Sequence, residues 1–143
     1  MKVEFCVYGE PVAKARPRVR RMSQGNVVAY TPKKTADYEE YIRLAYKEAG
    51  GEMFPDEPLR LEVECDMGIP SSVSKKKFMD MNEGRIRPTK RPDIDNLVKT
   101  VLGAGNGVIY RDDKQVVELS VIKKYSESPK IYVRVETLGG CNE

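Results

Sequence analysis

Apolar and polar positions alternate from the first residues of the chain: Val3, Phe5 and Val7 interleave with Lys2, Glu4 and Cys6. A period of two is the mark of a half-buried strand. The rhythm changes from Thr35 to Ala49, where Tyr38, Tyr41, Ile42, Ala45, Tyr46 and Ala49 recur at helical spacing before Gly50-Gly51 ends the helix. Thr31-Pro32 places a cap-like residue and then a proline suited to a first helical turn. The tyrosines of this helix are expected to face the core rather than to offer a platform for stacked bases. Leu59, Leu61, Val63, Cys65 and Met67 then alternate with Arg60, Glu62, Glu64 and Asp66, the clearest strand in the sequence. Its three carboxylates are expected to form a solvent-facing row, not a metal site.

Between the first strand and first helix, residues 10–34 are broken by Pro11 and Pro17 and carry Gln24-Gly25-Asn26, a hairpin or loop tip. Residues 69–92 read as a second long connection with a short helix around Ser74–Met81, and loops of that length in a small domain are functional or disordered. Ile94, Leu97, Val98, Val101 and Leu102 predict a further helix, ended by Gly103-Ala104-Gly105-Asn106-Gly107. Val108–Tyr110, Val116–Ile122 and Ile131–Val135 read as strands, and residues 139–143 as a loose tail. There is no internal repeat. The order predicts one small α+β domain spanning 1–143, a mixed sheet with two helices on one face.

A chain of 143 residues can bury a sufficient core without disulfides or a structural metal. It contains no histidine, which removes Ser-His-Asp hydrolases, HExxH proteases, imidazole-ligated zinc or haem, and nucleases with a histidine base. Acid–base or metal chemistry must therefore come from carboxylates, Lys, Tyr or Cys. Cys6, Cys65 and Cys141 are odd in number and widely spaced, as expected of free thiols in a reducing compartment. No apolar run approaches the roughly 20 residues that span a bilayer, and the strand-like N-terminus lacks the core of a signal peptide. A cytoplasmic protein with no membrane partner is expected.

The net charge of +3 conceals a strong asymmetry. Residues 10–34 carry seven basic side chains against Glu10, for +6, and residues 70–92 carry seven against Asp80 and Glu83, for +5. The remainder sums to −8. Two basic segments on an acidic body point to a polyanion partner such as nucleic acid, without saying which, because phosphate contacts position a protein without reading sequence.

The chemistry concentrates in Lys90-Arg91-Pro92-Asp93-Ile94-Asp95-Asn96-Leu97-Val98-Lys99. Pro92 keeps Arg91 extended, so Asp93 and Asp95 are expected in extended chain just before a helix starting at about Asp95. There, alternate residues point to one side, and Lys99 returns to that side one helical turn later. Asp112-Asp113 lie on a return path long enough to bring one of them back to the pair. Three converging carboxylates suit a hard cation, Mg²⁺ or Mn²⁺, which supports phosphodiester cleavage, and a lysine can neutralise developing charge. The same residues also admit a plain structural role: Asp95 as an N-cap, Asp93 at the favourable end of the helix dipole, Asp112-Asp113 as a turn.

This run, followed by Gly107-Val108-Ile109-Tyr110-Arg111-Asp112-Asp113-Lys114-Gln115-Val116, resembles the RusA family of Holliday junction resolvases, as does the block Pro11-Val12-Ala13-Lys14-Ala15-Arg16-Pro17-Arg18 with Tyr30. The resemblance spans residues 3 to 136, and the DxDNLxK run with its downstream DDxQV is much rarer than a carboxylate pair. It implies that Asp93, Asp95 and Asp113 are catalytic metal ligands for Mg²⁺ or Mn²⁺, with Asp112 the weaker candidate for the third, and that Lys99 is an essential lysine. It implies a small α+β fold, a homodimer, and paired symmetric nicking of four-way junction DNA in recombination and repair, in a family often encoded by phages and prophages. The Gly-rich stretch 103–107 differs from the alanine- and leucine-containing helix end more usual there. Lys14, Arg16, Arg18, Lys75, Lys76, Lys77 and Arg91 are the expected phosphate contacts. Two other readings stay open: a non-catalytic nucleic-acid-binding module, and a nuclease preferring other branched DNA.

Overall fold

A computed structural model of the chain describes residues 1–15, 18–25, 27–30 and 32–139. The elements in order are β1 (Lys2–Tyr8), β2 (Arg18–Arg21), β3 (Val27–Tyr30), α1 (Lys33–Glu48), β4 (Leu59–Gly68), α2 (Lys75–Asn82), α3 (Ile94–Gly105), a 3-10 turn (Asp113–Gln115), β5 (Val116–Ser126) and β6 (Lys130–Thr137). Four strands form one mixed sheet in the order β1-β6-β4-β5, and β2 and β3 form a separate hairpin. This is an α+β domain, with the hairpin turning where Gly25 takes φ +86°. Part of the basic arm is therefore a two-stranded ribbon.

In the sheet, β6 runs antiparallel to both β1 and β4, whereas β4 and β5 are parallel. Phe5, Val133, Val63 and Val121 lie in one row across the four strands. That face meets the helices: Tyr38, Ile42 and Tyr46 of α1 and Leu97, Val98, Val101 and Ala104 of α3 join it in one core. Phe5 meets Tyr46 edge to face, with ring centroids 5.6 Å apart, a geometry that suits the ring quadrupoles. The Tyr46 hydroxyl donates to the Glu52 carbonyl, and its ring fills the space where Gly51 has no side chain. Tyr41 is the exception to the core-facing expectation for α1: it lies on the outer side of the helix and is exposed.

Among the described residues, the opposite face of the sheet carries none of the buried apolar side chains. Glu62 pairs with Arg134 at 3.5 Å, Glu64 with Lys124 at 3.1 Å and Asp66 with Lys130 at 3.0 Å. The expected solvent-facing carboxylate row is thus a cross-strand ion-pair ladder. Asp66 departs further from expectation, because it is buried. Burial raises its carboxyl above the usual range, and the hydrogen bond from Lys130 opposes that rise.

Several boundaries differ from the sequence pattern. Helix α1 starts at Lys33, with Pro32 at its N-cap position, one residue before the first turn. Helix α3 begins at Ile94 rather than Asp95 and continues through Gly103 to Gly105. Val108–Tyr110 is not a strand: Ile109 and Tyr110 are buried in a turn beneath the end of α3, with only an isolated bridge from Asn106 to Tyr110. A three-residue apolar run can be a strand or a plug in the core, and periodicity cannot separate the two. The short helix in the second basic segment is present as α2, capped by Ser74, whose hydroxyl accepts from the Lys77 amide at 3.2 Å. Residues 140–143, including Cys141, lie outside the described residues, as do Arg16 and the side chain of Arg18.

The apolar stripe of α3 carries the site onto the sheet, so its deepest residue is the sensitive one. Leu97 is fully buried, and Leu97→Ala is expected to cost about 2–5 kcal/mol from lost transfer energy plus the residual cavity. A shift in the chemical-denaturation midpoint checks this.

Candidate active site

Parallel neighbours cannot be joined by a hairpin; the chain must leave the end of one strand and return to the start of the next. The segment that does this between β4 and β5, residues 69–115, contains α2, α3 and all four residues of the expected site. Asp93 occupies the N-cap of α3 with extended backbone (φ −72°, ψ 148°), and its side chain makes no capping hydrogen bond. Asp95 lies in the first turn and Lys99 one turn further on. Both carboxylates are exposed at the positive end of the helix, where the dipole stabilises negative charge.

A cavity of about 670 Å³ gathers Asp93, Asp95, Lys99 and Asp113, together with Lys14 and Asn106. Asp113 returns here by a route other than the expected strand. Helix α3 ends where the Tyr110 ring packs against Gly105, with an added Cβ falling 2.7 Å from the ring. The Tyr110 hydroxyl donates to the Leu102 carbonyl at 2.8 Å, and burial pushes this phenol far above its ordinary range. Gly107, at φ +78°, completes the reversal.

Asn106 then clasps Asp113. Its Oδ1 accepts from the Asp113 amide at 2.8 Å and its Nδ2 reaches Asp113 Oδ2 at 3.4 Å. Asp112 does something different. Its carboxylate accepts from the Lys114 amide at 2.9 Å, and Gln115 Oε1 accepts from the Asp112 amide, a reciprocal cap on the 3-10 turn. Gln115 is buried and donates to the carbonyls of Pro55 and Glu57 at 3.0 and 3.2 Å. Of the tandem pair, Asp112 is occupied in holding the turn and Asp113 lines the cavity.

The basic arm contributes one wall. The Lys14 amide donates to the Asn96 carbonyl at 2.9 Å, and its ammonium pairs with Glu39 of α1 at 2.8 Å. A Cβ at Gly103 would stand 3.0 Å from both partners of that pair, so this glycine makes room for it. Lys14, an expected phosphate contact, is fixed between α1 and α3 beside the carboxylates. The approach to Asp93 is held from the other side. Lys123 of β5 donates to the carbonyls of Lys90 at 2.8 Å and Pro92 at 2.9 Å, and Arg87 donates to the Lys123 carbonyl. The Arg91–Pro92 peptide bond is cis. Lys75, Lys76 and Lys77 sit exposed on the first turn of α2, away from the cavity lining, and Arg91 is exposed beside Asp93.

All three carboxylates offer oxygen donors, with no nitrogen or sulfur ligand nearby, which is the donor chemistry of a hard divalent cation. They line one cavity without closing into a cage: among the described residues no three such side chains are drawn together tightly enough to hold one ion. Asn106, Glu39, Gly105 and Lys123 position this site, and nothing in their sequence spacing marks them. Asn106→Ala removes both contacts to Asp113 and is expected to cost about 1–2 kcal/mol, with faster amide exchange at Asp113 read by NMR.

The protein of Bacillus subtilis (strain 168) named Uncharacterized protein YqaN is 41% identical over 135 residues, covering 93% of this chain and 94% of that one. No helix among the described residues is long and apolar enough to cross a membrane. The family model described as Endodeoxyribonuclease RusA matches residues 8–136, a span that runs from the basic arm through the whole carboxylate cavity to the last strand, and the chain belongs to the RusA family of DNA-cleaving hydrolases.

Proposed function

We propose that this nuclease resolves four-way DNA junctions by paired, metal-dependent nicks, acting as a homodimer. The observation that carries the reading is the convergence of Asp93, Asp95 and Asp113 with Lys99 and Lys14 in one cavity at the N-terminus of α3, in a chain of the RusA family. Asp93, Asp95 and Asp113, which line the cavity without closing on one point, would have to draw together to hold Mg²⁺ or Mn²⁺, and the bound ion would polarise a phosphoryl oxygen and make water a better nucleophile at neutral pH.

The chain's own residues supply the rest. The ammonium groups of Lys14 and Lys99 counter the negative charge of the scissile phosphate, which grows as the nucleophile adds. The Glu39 partner fixes the Lys14 ammonium in advance, so little reorganisation accompanies the reaction. With no histidine in the chain, a carboxylate or bulk water takes the proton of the attacking water. The basic ribbon β2–β3 and the lysines of α2 extend the positive surface to flanking phosphates. A four-way junction has near two-fold symmetry, and an isologous pair of subunits sets one cavity at each of two opposing strands.

Asp93→Asn is expected to reduce Mg²⁺-dependent nicking of a synthetic four-way junction by about a hundredfold or more, with junction affinity unchanged or tighter. Chelation of divalent ions should do the same to the parent. Equal cleavage by parent and variant would remove Asp93 from the chemistry, and binding without cleavage of any DNA would favour a non-catalytic module. Parallel assays on junction, flap and linear duplex separate a junction resolvase from a nuclease of other preference. Replacing Lys75, Lys76 and Lys77 by Ala should make the slope of log affinity against log salt shallower by about 0.9 for each lysine that contacts a phosphate.

A further inference from the structure

Beside the carboxylate cavity lies a larger groove of about 870 Å³. Ala15, Asp93 and Asn96 line both, so the two form one continuous depression across the N-terminus of α3. Their chemistry differs. The groove is walled by Pro11, Pro70, Pro88, Pro92, Met67 and Tyr125. Lys34, Lys90 and Arg91 line it as well, all three exposed. Glu10 stands at one wall, where both its carboxylate oxygens lie 3.2 Å from the Gly68 amide.

A surface that met only the sugar–phosphate backbone would be built from cations, hydroxyls and amides. Prolines, a methionine and a tyrosine are of no use to a phosphate. They are equally of no use to a base inside a duplex, whose faces are covered by its neighbours. Such a wall suits a flat, apolar face that has left the stack, and the groove falls in the size range of about 300–1,000 Å³ typical of small-molecule sites. The cations beside it suit the charge that such a group carries on either side.

We propose that this groove is a nucleotide subsite. One nucleotide of the cleaved strand, next to the scissile phosphate, turns out of the stack and lays its base against the proline and Tyr125 wall, while its phosphates meet Lys34, Lys90 and Arg91. This rests on the nuclease reading above and adds to it the step by which the strand is held for cutting. Glu10 makes the subsite selective. A carboxylate only accepts hydrogen bonds, so it favours a base that presents an exocyclic amine over thymine, whose single N3–H donor is flanked by two carbonyl acceptors.

The parent protein tests this without any substitution. Each nucleotide flanking the mapped cut in a four-way junction is replaced in turn by an abasic sugar, which keeps the phosphates and removes the base, and single-turnover cleavage is measured. One position should lose about tenfold or more in rate, while abasic sugars elsewhere in the arms change it less than about twofold. Tyr125→Ala should slow cleavage of the intact junction by a similar factor and add little on the junction abasic at that position, because both changes remove one contact. Glu10→Gln should bring the ratio of rates for amine-bearing bases over thymine there close to one. A flat abasic scan, or effects of Tyr125→Ala and base removal that multiply, overturns the proposal. A parent that binds junctions without cutting them sinks the nuclease reading instead, and the same scan read as dissociation constants then decides the groove by itself.

Discussion

The parallel pairing of β4 with β5 is the constraint on which the site depends. Had these neighbours been antiparallel, a short turn could have joined them. Because they are parallel, the chain has to climb off the sheet and return, and the polypeptide that does so carries α3 and all four residues of the carboxylate–lysine cluster. The buried stripe of Leu97, Val98, Val101 and Ala104 seats α3 on the sheet. That seating determines where its N-terminus, and hence Asp93 and Asp95, can lie. Each of those side chains contributes in proportion to the apolar area it hides from water.

The return half of the same crossover is set by a close approach. Gly105 lets the Tyr110 ring lie against the end of α3, and the phenol ties itself to Leu102. From there the chain has only a few residues in which to reach β5, and Asn106 and the Asp112–Gln115 cap specify their path. Two adjacent aspartates thereby take opposite duties: one closes a turn with backbone amides, the other faces the cavity. Lys123 performs the corresponding service on the entry side, holding the Lys90 and Pro92 carbonyls while Arg87 donates to the carbonyl of Lys123 on the outer edge strand β5.

Much of this was legible in the residues. The strands β1, β4 and β6 declare themselves by strict alternation and α3 by its apolar stripe, because each buries one face and a period follows from that. The hairpin in the basic arm was marked by Gly25 with its neighbours, and the DxDNLxK run with DDxQV is specific enough to name a family. Val108–Tyr110 misleads because a short apolar run reports burial and not backbone hydrogen bonding. Tyr41 and Asp66 mislead in a complementary way: a tyrosine on a helix and an acid on a strand are assigned to the inside or outside by neighbours remote in sequence.

The sequence by itself determined which side chains are present to do chemistry and roughly which periodic elements carry them: no imidazole, three aspartates and a lysine around one apolar helix, and positive charge concentrated in two segments. Only the tertiary structure decided which aspartate of the tandem pair faces the cavity and that Lys14 stands fixed against Glu39. It alone joined a proline-walled groove to the carboxylates, from residues that range from Glu10 to Tyr125. The physical reason is that composition and period are local properties of a chain. A cavity is made of surfaces that meet only after strands pair and helices pack, and its lining is chosen by the topology of the sheet.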